Sequence, residues 1–507
     1  MLARPLLATI LLSAIATAQQ SSSDATTLKV TSRIVILDVD VVNKKTHSLV
    51  NNLTEDDFTI LEDKIPQTIR SFDRPSSHAM PRPGEAVVHS AADLPKIGNA
   101  PVTILVLDEL NTHFEDMSFS RQSLLKYLAA QPRVLLQPTA LLIATNTRFT
   151  QVQDYTQDRD QLIEEVKHHA AEVPWTLSSG LAGAGSVERM AQTLASIEQI
   201  AQASAGTPGR KNIIWIGLGF PSSDMTALDA HTAGTIQAAV RQCTNMLLAS
   251  RSTVYIIDPV ANDTTTVLVE SPADLAMVED RLGTDPFVTG ITFFNLAPQT
   301  GGRIFASRND LNNEIAQSIA ASTNYYTLAY VPTGASTNDA KYRHIRIKLR
   351  NSDLVATTRD GYYPQALANA PSPTATEPRK QALAQIQLDL SSAVTSSMSY
   401  NGLTITAAKA DQGTYSVTVA DTNKSLTWQS ISGAREKTEV TILAAWYDSK
   451  SKLLGHVAHE LTAIRANSSG AATFSMPVTL PGGVSRVRLV VRDAASGRIG
   501  TVDLTTF

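Results

Sequence analysis

The sequence predicts an α/β chain: a doubly wound, mostly parallel sheet flanked by β-sandwich modules. Two observations carry this expectation. Between Pro101 and Ser322, five short apolar runs rich in β-branched residues alternate with stretches whose apolar residues recur at helical spacing. That is the pattern of parallel strands covered on both faces by helices. On either side of this segment, apolar and polar residues alternate one by one, as they do in half-buried antiparallel strands.

At the N-terminus, Arg4 precedes an apolar stretch from Pro5 to Ile15 and the small-x-small triplet Ala16-Thr17-Ala18. Residues 1–18 therefore read as a signal peptide cleaved before Gln19, too short to span a bilayer. The expected location is outside the cytoplasm, periplasmic or extracellular. Residues 28–74 form a small β module, in which Val35, Leu37, Val39 and Val41 share one face of a strand and Asp38 and Asp40 the other. Residues 75–99, with Pro81-Arg82-Pro83-Gly84 and no sustained periodicity, read as a linker.

The central segment, 100–322, supplies strands at Val102–Leu107, Ala140–Thr145, Asn212–Ile216, Thr253–Ile257 and around Ile304–Phe305. Its helices carry stripes such as Val187, Met190, Leu194, Ile197 and Ile200. Strands return in 323–364, where Arg343, Ile345, Ile347 and Leu349 alternate with His344, Arg346 and Lys348. These strands are expected to complete the module begun at residue 28, because a domain whose termini lie close together can be inserted into another at little entropic cost. Residues 365–379, with Ala370-Pro371-Ser372-Pro373, read as a Pro-rich linker, and 380–507 as an all-β, immunoglobulin-like sandwich.

Lys plus Arg number 43 and Asp plus Glu 47, a balance that points to neither nucleic acid nor an anionic membrane as partner. The single cysteine, Cys243, cannot form an internal disulfide and falls on the stripe Ile236, Val240, Cys243, Leu247, the pattern of a buried core thiol. Catalytic motifs are absent: there is no Gly-x-Ser-x-Gly elbow and no Walker A sequence, and Gly217-Leu218-Gly219 lacks the third glycine of a dinucleotide fingerprint. His168-His169 sits on a polar stretch without a third metal ligand at a readable spacing and is expected on a solvated face.

The first central strand ends in Asp108-Glu109-Leu110-Asn111-Thr112. It is followed by Ala140-Leu141-Leu142-Ile143-Ala144-Thr145, by Phe149-Thr150-Gln151-Val152-Gln153 and, near the end of the segment, by Leu296-Ala297-Pro298-Gln299-Thr300-Gly301-Gly302-Arg303-Ile304-Phe305. This series resembles the von Willebrand factor type A domain. Leu53-Thr54-Glu55-Asp56-Asp57-Phe58 before it, with Tyr325-Tyr326-Thr327-Leu328-Ala329-Tyr330 and Gly361-Tyr362-Tyr363 after it, resembles the acidobacterial members of that superfamily.

The resemblance implies a metal-ion-dependent adhesion site, in which hard oxygen donors hold Mg²⁺ and leave a position open for a partner's carboxylate. Asp108 and Thr112 match that site, and Asp224 is the nearest acid to its later position. Leu110 and Gly219, however, stand where oxygen donors belong. Thr176, Ser178 or Ser179 would supply the remaining loop oxygen, and Asn111 is the candidate to replace a lost hydroxyl. Two readings of Asp108 stay open: a ligand of Mg²⁺, or a residue that caps the helix expected near Ser118 and orders its own loop.

The function expected is that of an exported, non-enzymatic protein that binds a protein partner or adheres through the carboxyl ends of its central strands. The partner face comprises Asp108, Asn111, Thr112, Thr176, Ser178 and Gly219. The alternatives are a structural component of an envelope or secretion assembly, and a hydrolase whose site is scattered through the sequence.

Overall fold

Leu37, Val39 and Val41 are fully buried because they share the face of strand β1 (Val35–Asn43) that packs on a hydrophobic core, whereas Ile36 on the opposite face is exposed. The computed structural model describes residues 34–505 except 47, 83–84, 171–183, 221–222, 225–228, 260–285, 288–289, 307–309, 322, 334–340, 365–375, 412, 421–425, 432–434 and 467–469. The expected signal peptide and the loop around Thr176 and Ser178 lie outside the described residues.

After β1 come β2 (Phe58–Glu62), β3 (Ile65–Gln67) and β4 (Ile69–Asp73). The central segment then runs β5 (Val102–Asp108), α1 (Phe114–Ala129), β6 (Val134–Ala144), β7 (Phe149–Asp158), α2 (Arg159–His168) and α3 (Ala184–Ser204). It continues through β8 (Lys211–Ile216), β9 (Ser223–Asp224), α4 (Ala230–Ala249), β10 (Ser252–Asp258), β11 (Gly290–Ile291), α5 (Leu296–Thr300), β12 (Ile304–Ala306) and α6 (Leu311–Ala321). Strands β13 (Tyr326–Tyr330), β14 (Arg343–Leu349), β15 (Leu354–Thr357) and β16 (Gly361–Tyr362) follow.

The flanking strands interleave across the central segment. One antiparallel sheet has the order β15-β1-β13-β4 and another β16-β14-β2-β3, so each takes strands from both sides of residues 100–322. Between them lie Leu37, Val39, Val41, Phe58, Ile60, Tyr326, Leu328 and Tyr330. Glu62 is buried in this module and satisfied, its Oε2 accepting from the hydroxyls of Tyr330 (2.6 Å) and Tyr362 (3.1 Å). A carboxylate in an apolar core needs such donors.

The central sheet has the order β12-β10-β8-β5-β6-β7, with β7 antiparallel at one edge and the other pairings parallel. Alternation along β5 sends Ile104 and Val106 to one core and Leu105 and Leu107 to the other, which is why the whole strand is buried. One face is covered by α1, α2 and α6 through Met117, Leu124, Leu162, Val166, Leu311 and Ile315. The other is covered by α3 and α4 through Met190, Ile197, Ile236, Val240, Cys243 and Leu247. Burial pushes the Cys243 thiol well above its ordinary range, as befits a core residue.

The polar face of β1 joins the module to the central sheet. Arg210, just before β8, donates to Asp40 Oδ1 at 2.9 Å, to Thr253 Oγ1 and to the Tyr255 hydroxyl, and its guanidinium lies over the Tyr325 ring. Arg251 donates to Asp38 Oδ1 at 2.6 Å and to Thr327 Oγ1. Both acids are thereby paired, as buried charges must be.

The C-terminal block departs from the expectation at its start. Residues 380–395 are not β: they belong to helix α7 (Thr376–Thr395), whose Leu390, Ala393 and Val394 pack at helical spacing against Leu443, Ala445 and Val490. Then come β17 (Ile405–Asp411), β18 (Thr414–Val419), β19 (Gln429–Ile431), β20 (Arg435–Tyr447), β21 (Leu453–Ala466), β22 (Ala472–Pro477), β23 (Arg486–Asp493) and β24 (Ile499–Leu504). A three-stranded sheet, β17-β18-β22, faces a five-stranded one of order β19-β20-β23-β24, with β21 paired to β20. Their shared core includes Val417, Phe474, Ile442 and Leu489.

The expected fold class is therefore corrected. Among the described residues strand (40%) exceeds helix (29%), and five of the six sheets are antiparallel throughout, so the chain is mostly β and not an α/β chain built on a doubly wound sheet. The helical stripes of 100–322 dominate the sequence pattern, yet only β5–β12 of the twenty-four strands among the described residues fall there. Residues 75–99 are also more than a linker. Val88, Ala91, Leu94 and Ile97 recur every third residue and bury in the central core, the last three from a 3₁₀ helix.

Candidate functional site

Strand β5 ends at Asp108, which is fully buried. Its carboxylate is saturated with donors. Oδ1 accepts from the Asn111 backbone N–H and Nδ2 (both 3.1 Å), and Oδ2 from Trp215 Nε1 at 3.0 Å, from Gly219 N at 2.7 Å and from Asn111 Nδ2 at 3.2 Å. Burial holds this carboxyl above its ordinary range, against the opposing effect of these hydrogen bonds. Thr112 is equally buried, and its Oγ1 accepts from the backbone N–H of Leu218 at 3.1 Å. Asn111 also donates through Nδ2 to Thr193 Oγ1 on α3 at 3.0 Å.

Two glycines let the 217–219 turn lie directly on these side chains. Both have positive φ, 140° at Gly217 and 64° at Gly219. A Cβ on Gly217 would come within 2.5 Å of Asp108 Cβ and Thr112 Oγ1; one on Gly219 would meet the Phe293 ring at 2.0 Å. Phe293 packs between Trp215 and Phe220, with ring centroids 5.1 and 5.4 Å away, and closes the crevice with aromatic surface. Leu110 faces the same core.

These residues do not fit a Mg²⁺ ion. A hard cation needs several free oxygen lone pairs converging on one point. Here the Asp108 oxygens and Thr112 Oγ1 are occupied by N–H groups, and the glycine turn fills the neighbouring space. Among the described residues no group of three or more His, Cys, Asp or Glu side chains could hold a metal. Asp224 lies on β9 with its backbone paired to Gly290, and Thr176 and Ser178 lie outside the described residues.

The site thus brings together Asp108, Asn111, Thr112 and Gly219. Helix α1 starts at Phe114 rather than near Ser118, with His113 as its N-cap, so Asp108 orders the loop instead of capping the helix. The sequence also misplaced His169. It caps the C-terminus of α2 and turns inward, where Nε2 lies 3.0 and 3.1 Å from the two carboxylate oxygens of the buried Glu109, whereas His168 stays exposed. No local signal links residues 60 positions apart. The rim of the site is open: His113 and Phe114 are exposed, Phe114 at 45%.

No family model matches the chain, and no curated protein matches it. Among solved structures, it is similar to a calcium-binding mutant of Bacteroides uniformis beta-glucuronidase 2 at 13% identity, covering 20% of this chain and 12% of that one, with a TM-score of 0.11. A second structure of that glucuronidase, covalently bound to cyclophellitol-6-carboxylate aziridine, matches at 12% identity over the same shares with a TM-score of 0.10. An endonuclease/exonuclease/phosphatase from Beutenbergia cavernae matches at 12% identity, over 37% of this chain and 38% of that one, with a TM-score of 0.10. Likeness this slight carries no functional argument. No helix among the described residues is long and apolar enough to cross a membrane.

Proposed function

We propose that the chain is an exported, non-enzymatic binding or adhesion protein that engages a protein partner through the carboxyl-end face of its central sheet. The observation that carries this reading is the contrast at that face between a sealed interior and an exposed rim. Asp108 is locked by four donor groups and so is not free as a base, nucleophile or metal ligand, while Phe114 stands 45% exposed six residues further on. Exposed aromatic side chains beside rigid backbone are the usual anchors of protein interfaces. The resemblance to the acidobacterial von Willebrand type A-related proteins supports the same reading, and the apolar stretch Pro5 to Ile15 with the triplet Ala16-Thr17-Ala18 supports export.

The test uses the full chain immobilised before an envelope extract of its native host. The captured partner is identified, purified and titrated against the parent and a Phe114→Glu variant. The expected result is at least a tenfold loss of affinity, a change of about 1.4 kcal/mol, with binding indifferent to chelators. Equal affinity of parent and variant, or binding abolished by EDTA, would overturn the reading. For export, the expected mature N-terminus of protein isolated from the host is Gln19.

A further inference from the structure

Strand β21 runs fourteen residues and pairs with β20 in a register from Arg435↔Ala466 to Tyr447↔Leu453. Among the described residues no strand pairs its other side, which leaves the edge from Leu454 to Ile464 without a strand partner. Proteins normally blunt such an edge with Pro, Lys, a bulge or a short strand. β21 has no Pro and no Lys, and its single register shift lies at the hairpin end, opposite Trp446 and Tyr447. Arg465, its only cation besides histidine, is turned away toward Glu436 at 2.9 Å and the Trp428 ring at 3.9 Å.

The outward face holds two exposed large apolar side chains, Leu454 at 41% and Ile464 at 58%. They stand five residues to either side of His459. An antiparallel strand of the same sequence, related by a twofold axis at His459, would therefore place Leu454 of each copy directly opposite Ile464 of the other. His456 would then face Thr462, and Ala458 would face Glu460. On the half-buried face, Val457 would meet Leu461 and Gly455 would meet Ala463. His459 would meet its own copy on the axis, and no Asp, Glu, Lys or Arg would stand directly opposite a like charge. A twofold interface requires a patch complementary to itself, and direct cross-strand neighbours share a face.

We infer that the chain forms a homodimer by antiparallel pairing of β21 with β21 of a second copy, centred on His459, so that the five-stranded sheets become one continuous sheet. This interface is independent of the face proposed for the partner.

Sedimentation and light scattering of the purified full chain test the inference, with an expected mass about twice that of the monomer. Leu454→Glu alone and Ile464→Lys alone should each give a monomer at the same concentration, with unchanged circular dichroism. The double variant should dimerise again, because the introduced acid and base fall opposite each other across the axis. A monomeric parent, an open-ended oligomer, or a folded double variant that stays monomeric would each overturn the proposal, as would a monomer that pairs this edge with an extended peptide.

Discussion

Replacing Asp108 by Ala should destabilise the central segment strongly, and the cost follows from the donors it abandons. Three N–H groups lose their acceptor in a site closed to water: Trp215 Nε1, Gly219 N and the Asn111 backbone N, while Asn111 Nδ2 keeps Thr193. Each buried donor left unsatisfied costs about 1–3 kcal/mol. Set against this is the relief of no longer burying a carboxylate, already evident in its raised pKa. The net expected loss is about 4 kcal/mol, near the upper end for a single substitution. Asp108→Asn retains the shape and one acceptor oxygen but turns an NH₂ toward existing donors, and should lose about 2 kcal/mol. Urea unfolding followed by tryptophan fluorescence, with and without Mg²⁺, measures both variants, since Trp215 itself bonds Asp108. If Asp108→Ala unfolds within 1 kcal/mol of the parent, or if millimolar Mg²⁺ stabilises the parent but not the variant, the assignment of Asp108 as a loop-ordering residue fails.

The junction between the β module and the central sheet gives a second prediction: Arg210→Met strands the buried Asp40 carboxylate and should cost about 3–5 kcal/mol in denaturant titration, whereas Arg210→Met with Asp40→Leu should recover most of that loss. A third concerns pH. Burial and the adjacent Asp389 carboxylate push the Glu198 carboxyl up to about 7. The folded state therefore holds a proton that the unfolded chain releases near its ordinary value, so the stability tied to that proton is complete at acid pH and is lost as pH rises through 7. After allowance for its partial exposure the change should be roughly 1–2 kcal/mol. Melting temperatures between pH 5 and 8 should fall for the parent and stay flatter for Glu198→Gln; parallel curves would show that Glu198 is not the titrating group.

Local pattern and tertiary partnership were legible to very different degrees. The alternation from Val35 to Val41 marks a strand and assigns its faces, because side-chain direction in a strand depends only on the neighbouring residues. That Asp38 and Asp40 meet Arg251 and Arg210, 213 and 170 residues away, is set by topology and leaves no mark at either position. The three-residue spacing of Val88, Ala91, Leu94 and Ile97 was in plain view but matches neither of the two common periods. In 380–395 Ala384, Ile386, Leu388 and Leu390 alternate as they would in a strand, and the helical face of Leu390, Ala393 and Val394 emerges only against β20 and β23. At the site, Asp108, Thr112 and the missing oxygen at Leu110 stand out only through the resemblance to the type A adhesion motif. The aromatic closure by Trp215, Phe220 and Phe293, and the inward turn of His169, depend on strands and loops that meet only after folding.

The interleaving of the two module sheets also fixes how the chain would carry tension. β1 is paired on one side with β13 and on the other with β15, so a pull between residue 34 and residue 362 passes sideways through those ladders as well as along the chain. Side chains also couple the central segment to its neighbours, Arg210 and Arg251 to Asp40 and Asp38 of β1, and Gln151 N–H to Ser397 Oγ of the C-terminal block at 2.7 Å. The β1–β13–β15 ladder would therefore act as a mechanical fuse, since its backbone hydrogen bonds must shear before the two ends of the module part.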